Sequence, residues 1–562
     1  MIDRHFLKPL FSVIIINYAS AFLPVKTSIE CLSPKRTFNN RLSVTTSNLA
    51  SKFIHSDLEW MSNSLNSALE KCIPDVIKTC KVKVGISPSG HRLGLLSKTS
   101  DNIKEGGTLL AIPYDDQLIL TSALAIQQVY KGILPVGYNG WTGDVGLIAL
   151  LVLNELAKCA ADGNYGIPLP TPKVEVTELM NAWIKSLPNF SELSNHPLLW
   201  DEDMQEILQS SSTNKIYRLL DDLDEDASWL DEKIWSVNRS IFPESIRIER
   251  NGSIIEYPCF SSKGFRWAYA IASSRSMYVD GLLRLIPIMD IANHDDAAQE
   301  VSGGSMGAFG TTKGALLRFS TGGKKSSSSQ ESKEIFVSYG PKTAAEYLLE
   351  HGFIPNQAKT TVSAASLTFE LDSEDRFYDD KMDILEFETY DSAPMAPIQT
   401  FDIISQVGGD SEPDPSMIQF LRLVKLGSFD AFLLESVFRK QVWGFMAMPV
   451  SEKNERDVLD SIADVCARFM GEMDTIPDYK EDASSPLALC STLRFVERKA
   501  LARTIEYINR EKEALDLKEY YQQRRLKDLG LDSEWTPEGT IFSNSEDEID
   551  YGQKRKPGLL DW

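Results

Sequence analysis

The chain has 562 residues, 43% of them hydrophobic and 25% charged, a balance that is typical of a globular protein and excludes a collagen, a coiled coil or a disordered acidic chain. A single core does not usually extend over such a length, so we expect two or three domains. Because 80 acidic side chains outnumber 58 basic ones, the net charge is −22, which disfavours general binding to the phosphate backbone of DNA or RNA.

Residues 1–21 have the organisation of a secretory signal peptide. Arg4 and Lys8 precede the short apolar run Leu10–Ile16, and Ala19-Ser20-Ala21 supplies an A-x-A cleavage pattern. The apolar run is too short to cross a bilayer. Residues 22–55 are rich in Ser, Thr, Lys and Arg, with little acidic character, which is typical of a transit peptide.

Together these two segments predict a bipartite address. The junction Ala19-Ser20-Ala21-Phe22-Leu23-Pro24 resembles the ASAF-type motif of plastid precursors from diatoms and related algae. We therefore expect the protein to be located in the chloroplast stroma of an alga with a secondary plastid. Plain secretion is the alternative. No later segment approaches 18 apolar residues, so the mature protein is expected to have no membrane contact.

The cysteines argue against both a disulfide framework and a metal centre. Seven of them are scattered along the chain, and no two stand in a Cys-x-x-Cys arrangement. An odd, unpatterned set in a chain this long disfavours disulfides, and the spacing excludes a cysteine zinc cluster. We predict no metal site, and the free thiols also disfavour secretion.

Residues 75–356 are predicted to form a β-rich domain with a helical insertion at about 118–265. Short apolar runs predict strands at Lys81–Val84, Leu93–Leu96 and Thr108–Ile112. Within the insertion, Asp221–Asp226 is expected to be a solvated face or loop. The Gly- and Ser-rich segment 302–333 is expected to be a flexible surface loop that flanks one strand, Ala315–Phe319.

Beyond residue 355 the apolar periodicity is mainly helical. Residues 360–530 are predicted to form a separate helical domain that includes one long charged helix, Arg494–Leu529, and residues 531–562 form an acidic tail. The predicted fold class is α+β, with a β-rich domain that carries a helical insertion and is followed by an all-α C-terminal domain.

Two segments hold the candidate chemistry. The first, Arg284–His294, contains Pro287, Asp290, Asn293 and His294 in the spacing P-x-x-D-x-x-N-H. The second begins at Phe336 and contains Tyr339, Gly340, Lys342, Glu346, Leu348, Gly352 and Phe353. Taken singly, each of these residues is more often structural, so their meaning depends on the combination.

In combination, the two segments resemble the SET-domain methyltransferases, in the branch typified by the Rubisco large-subunit lysine methyltransferase. That branch carries P-x-x-D-x-x-N-H followed by Y-G-x-K-x-N-x-E-L-L-x-x-Y-G-F. Further matching elements bring the resemblance to about residues 75–530: Leu93-Gly94-Leu95, Ser274-Arg275-Ser276, Leu426–Glu435 and Tyr520–Gly530.

The resemblance implies a protein-lysine N-methyltransferase that uses S-adenosyl-L-methionine, with a helical C-terminal domain that binds the protein substrate. The Rubisco large subunit and fructose-bisphosphate aldolase are the family's candidate substrates. Neither nucleic acid nor metal is implied, and we expect a monomer. By the same resemblance, Tyr339 is the candidate catalytic residue. The candidate cofactor-binding residues are Leu93, Gly94, Asn293, His294 and Phe353, and the candidate substrate-binding residues are Arg275, Asp290 and His351.

The chemistry fits these residue types. Methyl transfer from a sulfonium is an in-line displacement that depends on alignment, and well-oriented groups reach effective molarities of about 10⁵–10⁸ M. The hydroxyl of Tyr339 is suited to orient the amine and to accept weak C–H···O contacts from the methyl group. Desolvation in a narrow channel lowers the pKa of the target lysine and favours its nucleophilic form.

Three departures from the family pattern matter for function. His91 stands where the family often has an acidic residue, so this position does not supply the carboxylate contact to the cofactor amine that the family pattern implies. Ala344 replaces the usual Asn of the tyrosine motif. His351 replaces a Tyr that shapes the lysine pocket, a change that affects the substrate or the number of methyl groups added.

Two alternatives follow from the same residues. Relatives in this branch methylate histidine, so N-methyl-histidine is an alternative product. The three departures also allow a catalytically weak SET scaffold that binds a plastid partner, although the intact Tyr339, Asn293 and His294 favour an enzyme.

Overall fold

The computed structural model describes residues 47–530, apart from 74, 89–91, 99–105, 115–117, 169–172, 209, 307–311, 320–332, 356–361, 388–394, 407–412 and 475–484. The predicted signal peptide, most of the transit peptide-like segment, His91 and the acidic tail lie outside the described residues. The described residues from Ile54 onward belong to one compact unit. The first helix begins at Ser47, inside the segment predicted as a transit peptide.

Fourteen strands are formed by the described residues: β1 Thr79–Cys80, β2 Val82–Ile86, β3 Leu93–Ser97, β4 Thr108–Pro113, β5 Ser245–Arg250, β6 Ser253–Pro258, β7 Ser276–Val279, β8 Leu282–Leu285, β9 Asn293–His294, β10 Ser302–Met306, β11 Thr312–Arg318, β12 Glu334–Val337, β13 Val362–Glu370 and β14 Ile398–Gln406. The three strands predicted before residue 113 correspond to β2, β3 and β4 and are confirmed.

The described α-helices are α1 Ser47–Lys71, α2 Ser122–Leu124, α3 Gly143–Lys158, α4 Val174–Ser186, α5 Glu202–Leu208, α6 Thr213–Leu230, α7 Ser262–Arg275, α8 Ala344–His351, α9 Tyr378–Phe387, α10 Pro415–Val424, α11 Arg439–Phe445, α12 Glu452–Asp474, α13 Pro486–Glu513 and α14 Tyr521–Asp528. Shorter 3₁₀ or π turns occur at Ala125–Val129, Pro197–Leu199, Asp231–Trp235, Ser236–Asn238, Met289–Ile291, Ser428–Leu434 and Leu515–Leu517. Of the described helices, none is both long enough and apolar enough to cross a membrane.

Two four-stranded sheets frame the first domain, in the orders β1-β4-β11-β10 and β2-β3-β12-β9. The second sheet brings distant segments together, because β12 pairs antiparallel with β3 and parallel with β9. In the parallel pair Phe336 lies opposite Asn293 and Val337 opposite His294. This pairing places the two sequence motifs side by side, with Tyr339 two residues beyond the end of β12.

The helical insertion covers one side of this domain. Helix α3 is buried along most of its length, as expected for a helix that is apolar all round. The prediction of a solvated face or loop at Asp221–Asp226 is partly wrong. The segment lies within α6 and exposes Asp221 and Glu225, but Asp226 is 1% exposed. The Asp226 carboxylate accepts hydrogen bonds from Tyr138 Oη at 3.0 Å and from Thr142 N at 2.9 Å, which offsets its burial.

The prediction of a flexible loop over 302–333 is partly wrong. Residues 302–306 form β10, which pairs in register with β11 from Ser302 opposite Leu316 to Met306 opposite Thr312. Glycine serves close packing here, because a Cβ at Gly303 would lie 1.9 Å from Asp280 Oδ1. The Gly-rich composition therefore reflects a tightly packed strand as well as a loop.

The C-terminal domain has its own core, to which α10, α12, α13 and the strands β13 and β14 all contribute apolar side chains. The predicted α+β class is confirmed. The prediction of an all-α C-terminal domain omitted one hairpin, in which β13 and β14 pair over nine residues from Val362 opposite Gln406 to Glu370 opposite Ile398.

The single helix predicted for Arg494–Leu529 is also wrong. Helix α13 ends at Glu513 and α14 begins at Tyr521. The turn between them buries Leu515 and sets the Tyr521 ring 5.1 Å from that of Phe445. Because this stretch contains neither Gly nor Pro, the interruption comes from tertiary packing of apolar side chains.

Helix α13 also joins the two domains. Its Arg494 is fully buried and donates to the Ile207 carbonyl oxygen at 2.8 Å. One turn further on, the Glu497 carboxylate accepts from Ser211 N at 2.8 Å and from Ser212 Oγ at 2.7 Å. The insertion and the C-terminal domain thus meet through buried charged groups with hydrogen-bond partners.

Candidate active site

A cavity of about 420 Å³ opens where α7, the β7–β8 hairpin and the segment after β12 meet. Its lining includes all four candidate catalytic and substrate-binding residues, namely Arg275, Asp290, Tyr339 and His351. The candidate cofactor-binding residues are not among the described residues that line this cavity. They lie beside it, along β3, β9 and the end of α8.

The hydroxyl group of Tyr339 is held in one orientation. Its Oη donates to the Ala292 carbonyl oxygen at 2.9 Å. Burial raises the pKa of Tyr339 to about 12, so the phenol stays protonated at neutral pH. Because the single proton is committed to Ala292, the oxygen can only accept hydrogen bonds from a group that enters the cavity.

His294 joins the two sequence motifs. Its Nδ1 accepts the backbone N–H of Tyr339 at 3.2 Å, so the ring proton lies on Nε2, which is 2.8 Å from Asp296 Oδ1. The same Nε2 lies 3.1 Å from the hydroxyl of Tyr347, which donates to the Gly340 carbonyl oxygen. His294 thereby positions the backbone that carries Tyr339.

Asn293 has its amide oriented by two acceptors. Its Nδ2 donates to the Leu93 carbonyl oxygen at 3.1 Å and to Glu334 Oε1 at 2.7 Å. Both N–H groups are therefore used, and none of the described residues donates to Oδ1. A Cβ at Gly94 would lie 2.6 Å from Glu334 Oε1, so glycine allows this close approach.

Asp290 is presented by a strained turn. The buried Ile288 has φ +76°, a left-handed conformation that is rare for a β-branched residue. The turn Met289–Ile291 that follows places Asp290 Oδ2 2.9 Å from Trp183 Nε1 and 3.0 Å from Arg275 Nη1. Burial raises the pKa of Asp290, and the Arg275 charge opposes that rise.

Helix α8 carries His351, and side chains at its N-terminus cap it. Thr343 Oγ accepts the Glu346 N–H at 3.2 Å, and the Glu346 side chain accepts the Thr343 N–H at 2.7 Å. This is a capping box. Ala344, which stands in place of the family's Asn, is buried at the first helical position, and the polar capping is supplied by its neighbour Thr343.

We expect Thr343→Ala to lower the free energy of unfolding by about 1 kcal/mol, because the Glu346 N–H at the helix start loses the Thr343 hydroxyl as its partner. Chemical denaturation of the wild type and the variant measures the difference. Thr343→Ser keeps the hydroxyl and serves as the matched control. Equal losses in the two variants would show that the cap does not carry the effect.

His351 and Phe353 flank the end of this helix. Gly352 ends it in a left-handed conformation with φ +72°, and a Cβ there would lie 3.3 Å from the His196 backbone. The His351 ring stacks on Tyr339 with centroids 4.7 Å apart. The Phe353 ring lies 6.3 Å from that of His294, so the aromatic residues of both motifs form one cluster.

Sequence reasoning missed four side chains that support these groups, namely Trp183, His196, Glu334 and Tyr347. Trp183 and His196 come from the helical insertion, where nothing in the pattern indicates a role at the site. Tyr347 lies within the tyrosine motif, so its position was the one available signal.

Comparison with known proteins supports the same assignment. A family model described as Rubisco LSMT substrate-binding matches residues 372–515. The chain is 30% identical over 479 residues to the chloroplastic ribulose-1,5 bisphosphate carboxylase/oxygenase large subunit N-methyltransferase of Nicotiana tabacum, covering 82% of this chain and 84% of the relative. It is 29% identical over 374 residues to the chloroplastic fructose-bisphosphate aldolase-lysine N-methyltransferase of Arabidopsis thaliana, covering 64% and 70% respectively.

A solved structure gives the matching fold. The crystal structure of the SET domain of LSMT bound to lysine and AdoHcy aligns with a TM-score of 0.63 over 84% of this chain and 96% of that chain. Sequence identity over the alignment is 22%, so the likeness shows the shared fold.

Proposed function

The chain belongs to the family of the Rubisco large-subunit N-methyltransferases, and on that premise we propose that it transfers a methyl group from S-adenosyl-L-methionine to a lysine side chain of a plastid protein. The two relatives named above carry the Rubisco large subunit and fructose-bisphosphate aldolase in their names. These two proteins are therefore the candidate substrates. The family resemblance inferred from the two motifs is confirmed.

The observation that carries the proposal is the fixed hydroxyl of Tyr339. It lines the cavity with its proton committed to Ala292 and its oxygen left as an acceptor. Such an oxygen can hold an amine N–H while the amine lone pair points elsewhere. Because the phenol stays protonated, it orients the amine without competing for its proton.

The residues beside the cavity fit the cofactor. Asn293 Oδ1 is left as an acceptor suited to an ammonium group, and the Leu93–Gly94 backbone lies against the same amide. Phe353 supplies an aromatic face suited to a purine. We assign the cofactor to Leu93, Gly94, Asn293, His294 and Phe353.

The bound cofactor supplies an electrophilic methyl group, so that the amine lone pair forms the N–C bond while the electrons of the C–S bond remain on sulfur. The chain's own residues align the amine and keep water out. Arg275 and Asp290 form an ion pair in the cavity wall, so the charge of each side chain is balanced by the other. We assign the substrate lysine to the space bounded by Arg275, Asp290, Tyr339 and His351.

The C-terminal domain binds the protein substrate in this proposal, since the matching family model covers residues 372–515. The curated relatives are chloroplastic, which supports a plastid location. We assign residues 1–21 to a signal peptide and residues 22–55 to a transit peptide, and we expect the mature protein to be a monomer.

The test uses the chain from Phe22, incubated with methyl-labelled S-adenosyl-L-methionine and soluble plastid extract. A labelled protein that carries N-methyl-lysine on mass spectrometry supports the proposal. N-methyl-histidine would replace it with the histidine alternative. Cofactor binding without any label would point to a scaffold, and the absence of cofactor binding would overturn the methyltransferase assignment.

We expect Glu334→Ala to raise the Kd for S-adenosyl-L-methionine about 10-fold, because the Asn293 amide loses a charge-assisted partner and its orientation. Glu334→Gln keeps an acceptor oxygen and should raise the Kd less. Isothermal titration calorimetry measures both values, with melting temperatures to check folding. An unchanged Kd in the alanine variant would remove Glu334 from the cofactor site.

A further inference from the structure

His351 is placed to touch whatever enters the cavity beside Tyr339. It lines the cavity, its side chain is 5% exposed, and its ring stacks on the Tyr339 ring with an interplanar angle of 27°. The two residues come from the two ends of the same motif, so the turn into α8 brings them together.

The hydrogen bond at Nδ1 fixes the tautomer of His351. Nδ1 lies 3.1 Å from the Ser274 carbonyl oxygen, and a carbonyl can only accept, so Nδ1 carries the proton. Burial and the nearby Lys342 charge lower the pKa of His351 to about 3. The ring is therefore neutral at physiological pH, and Nε2 holds a lone pair.

That Nε2 lone pair is buried and has no hydrogen-bond partner among the described residues. Glu350 Oε2 lies 3.9 Å away, which is beyond hydrogen-bond distance, and it is itself an acceptor bound by Lys342 Nζ at 2.7 Å. Buried acceptors without a donor are rare in native proteins. A ligand that enters the cavity with an N–H or O–H group would give His351 Nε2 the missing hydrogen bond.

We propose that His351 Nε2 accepts one N–H of the target lysine amine while Tyr339 Oη accepts the other, and that this pair of acceptors makes monomethyl-lysine the main product. The inference rests on the proposed function and deepens it. A neutral primary amine has two N–H groups and one lone pair, so two acceptors occupy both N–H groups and leave the lone pair for the transfer.

The number of N–H groups on the amine also disfavours a second methyl transfer. After the first transfer the product ammonium releases a proton to solvent and retains a single N–H, with a methyl group in place of the other. One buried acceptor then loses its donor, and we expect the second transfer to be about 10-fold slower than the first. His351 is thus a specificity-determining residue for the number of methyl groups added.

The test compares methyl-lysine products of the wild type, His351→Phe and His351→Tyr in plastid extract supplied with S-adenosyl-L-methionine. The phenylalanine variant keeps an aromatic ring against Tyr339 but has no acceptor, so dimethyl- and trimethyl-lysine should rise about 10-fold relative to monomethyl-lysine. The tyrosine variant restores an acceptor oxygen and should return the product towards one methyl group. Ready multiple methylation by the wild type, or the same products from all three proteins, would overturn the inference.

A second readout does not depend on turnover. In protein labelled with ¹⁵N-histidine and saturated with AdoHcy, the Nε2 resonance of His351 should be that of an unprotonated nitrogen and should shift on addition of free lysine. A protonated Nε2, or no shift when bound lysine is detected by other resonances, would overturn the inference. If the lysine shift is present while no protein is methylated, the proposed function fails and the hydrogen bond stands.

Discussion

Replacing Tyr339 with phenylalanine is expected to lower kcat by about 100-fold or more. The hydroxyl that the change removes is the group fixed on the Ala292 carbonyl oxygen at 2.9 Å inside the cavity. Without it the amine loses its alignment, and misplacement of a reacting group by 1 Å costs about 100-fold. Steady-state assays on the labelled target protein measure the loss.

The Tyr339→Phe change should leave cofactor binding nearly intact, because Tyr339 is not one of the candidate cofactor-binding residues. The expected signature is therefore a fall in kcat with little change in the Kd for S-adenosyl-L-methionine. Tyr217→Phe is a matched control, since Tyr217 is an exposed tyrosine on α6, outside the cavity lining. A Tyr339→Phe variant that keeps kcat within about 3-fold of the wild type would remove Tyr339 from the chemistry.

The second large effect concerns the buried carboxyl group between the two domains. Burial raises the pKa of Glu497 from its ordinary value of 4.5 to about 7. The folded state therefore binds a proton more tightly than the unfolded state, so the stability from this group is fully present below pH 4.5 and is lost as the pH rises through about 7. The difference corresponds to about 3 kcal/mol of unfolding free energy.

Measurements of unfolding free energy between about pH 5 and pH 8.5 test this expectation, because Glu497 loses its proton in the folded state within this range. The wild type should lose about 3 kcal/mol more than Glu497→Gln over this range, because glutamine carries no charge that must be buried at high pH. Glu506→Gln, on the exposed face of the same helix, should follow the wild type. Parallel pH profiles for the wild type and Glu497→Gln would contradict the assignment.

The strands and motifs of the first domain were accessible from sequence because their signals are local. Alternation of apolar residues with turn residues predicted β2, β3 and β4. The family resemblance carried by the two motifs implied which side chains share the site. The errors arose where composition has two physical meanings. Glycine in residues 302–306 permits close strand packing, and the acidic run Asp221–Asp226 contains one carboxylate that caps a loop from inside.

Other features depended on contacts that no local pattern encodes. The break between α13 and α14 has no Gly or Pro. It forms because Leu515 is buried and the half-buried Tyr521 packs against Phe445, which is far away in the chain. Trp183 and His196 reach the site from an insertion whose apolar periodicity indicates only a buried helical face. Their roles exist only after the insertion packs against α7 and α8.

By itself the sequence determined the α+β class, the two motifs that carry the candidate site and the family to which the chain belongs. The tertiary structure alone decided the hydrogen-bonding state of each group there. It committed the Tyr339 proton to Ala292, oriented the Asn293 amide through Glu334, and placed the proton of His351 on Nδ1 through Ser274. The physical reason is that the free acceptor of a side chain, or the tautomer of a histidine, is set by which partner lies within about 3 Å. These three partners are 41 to 77 residues away along the chain.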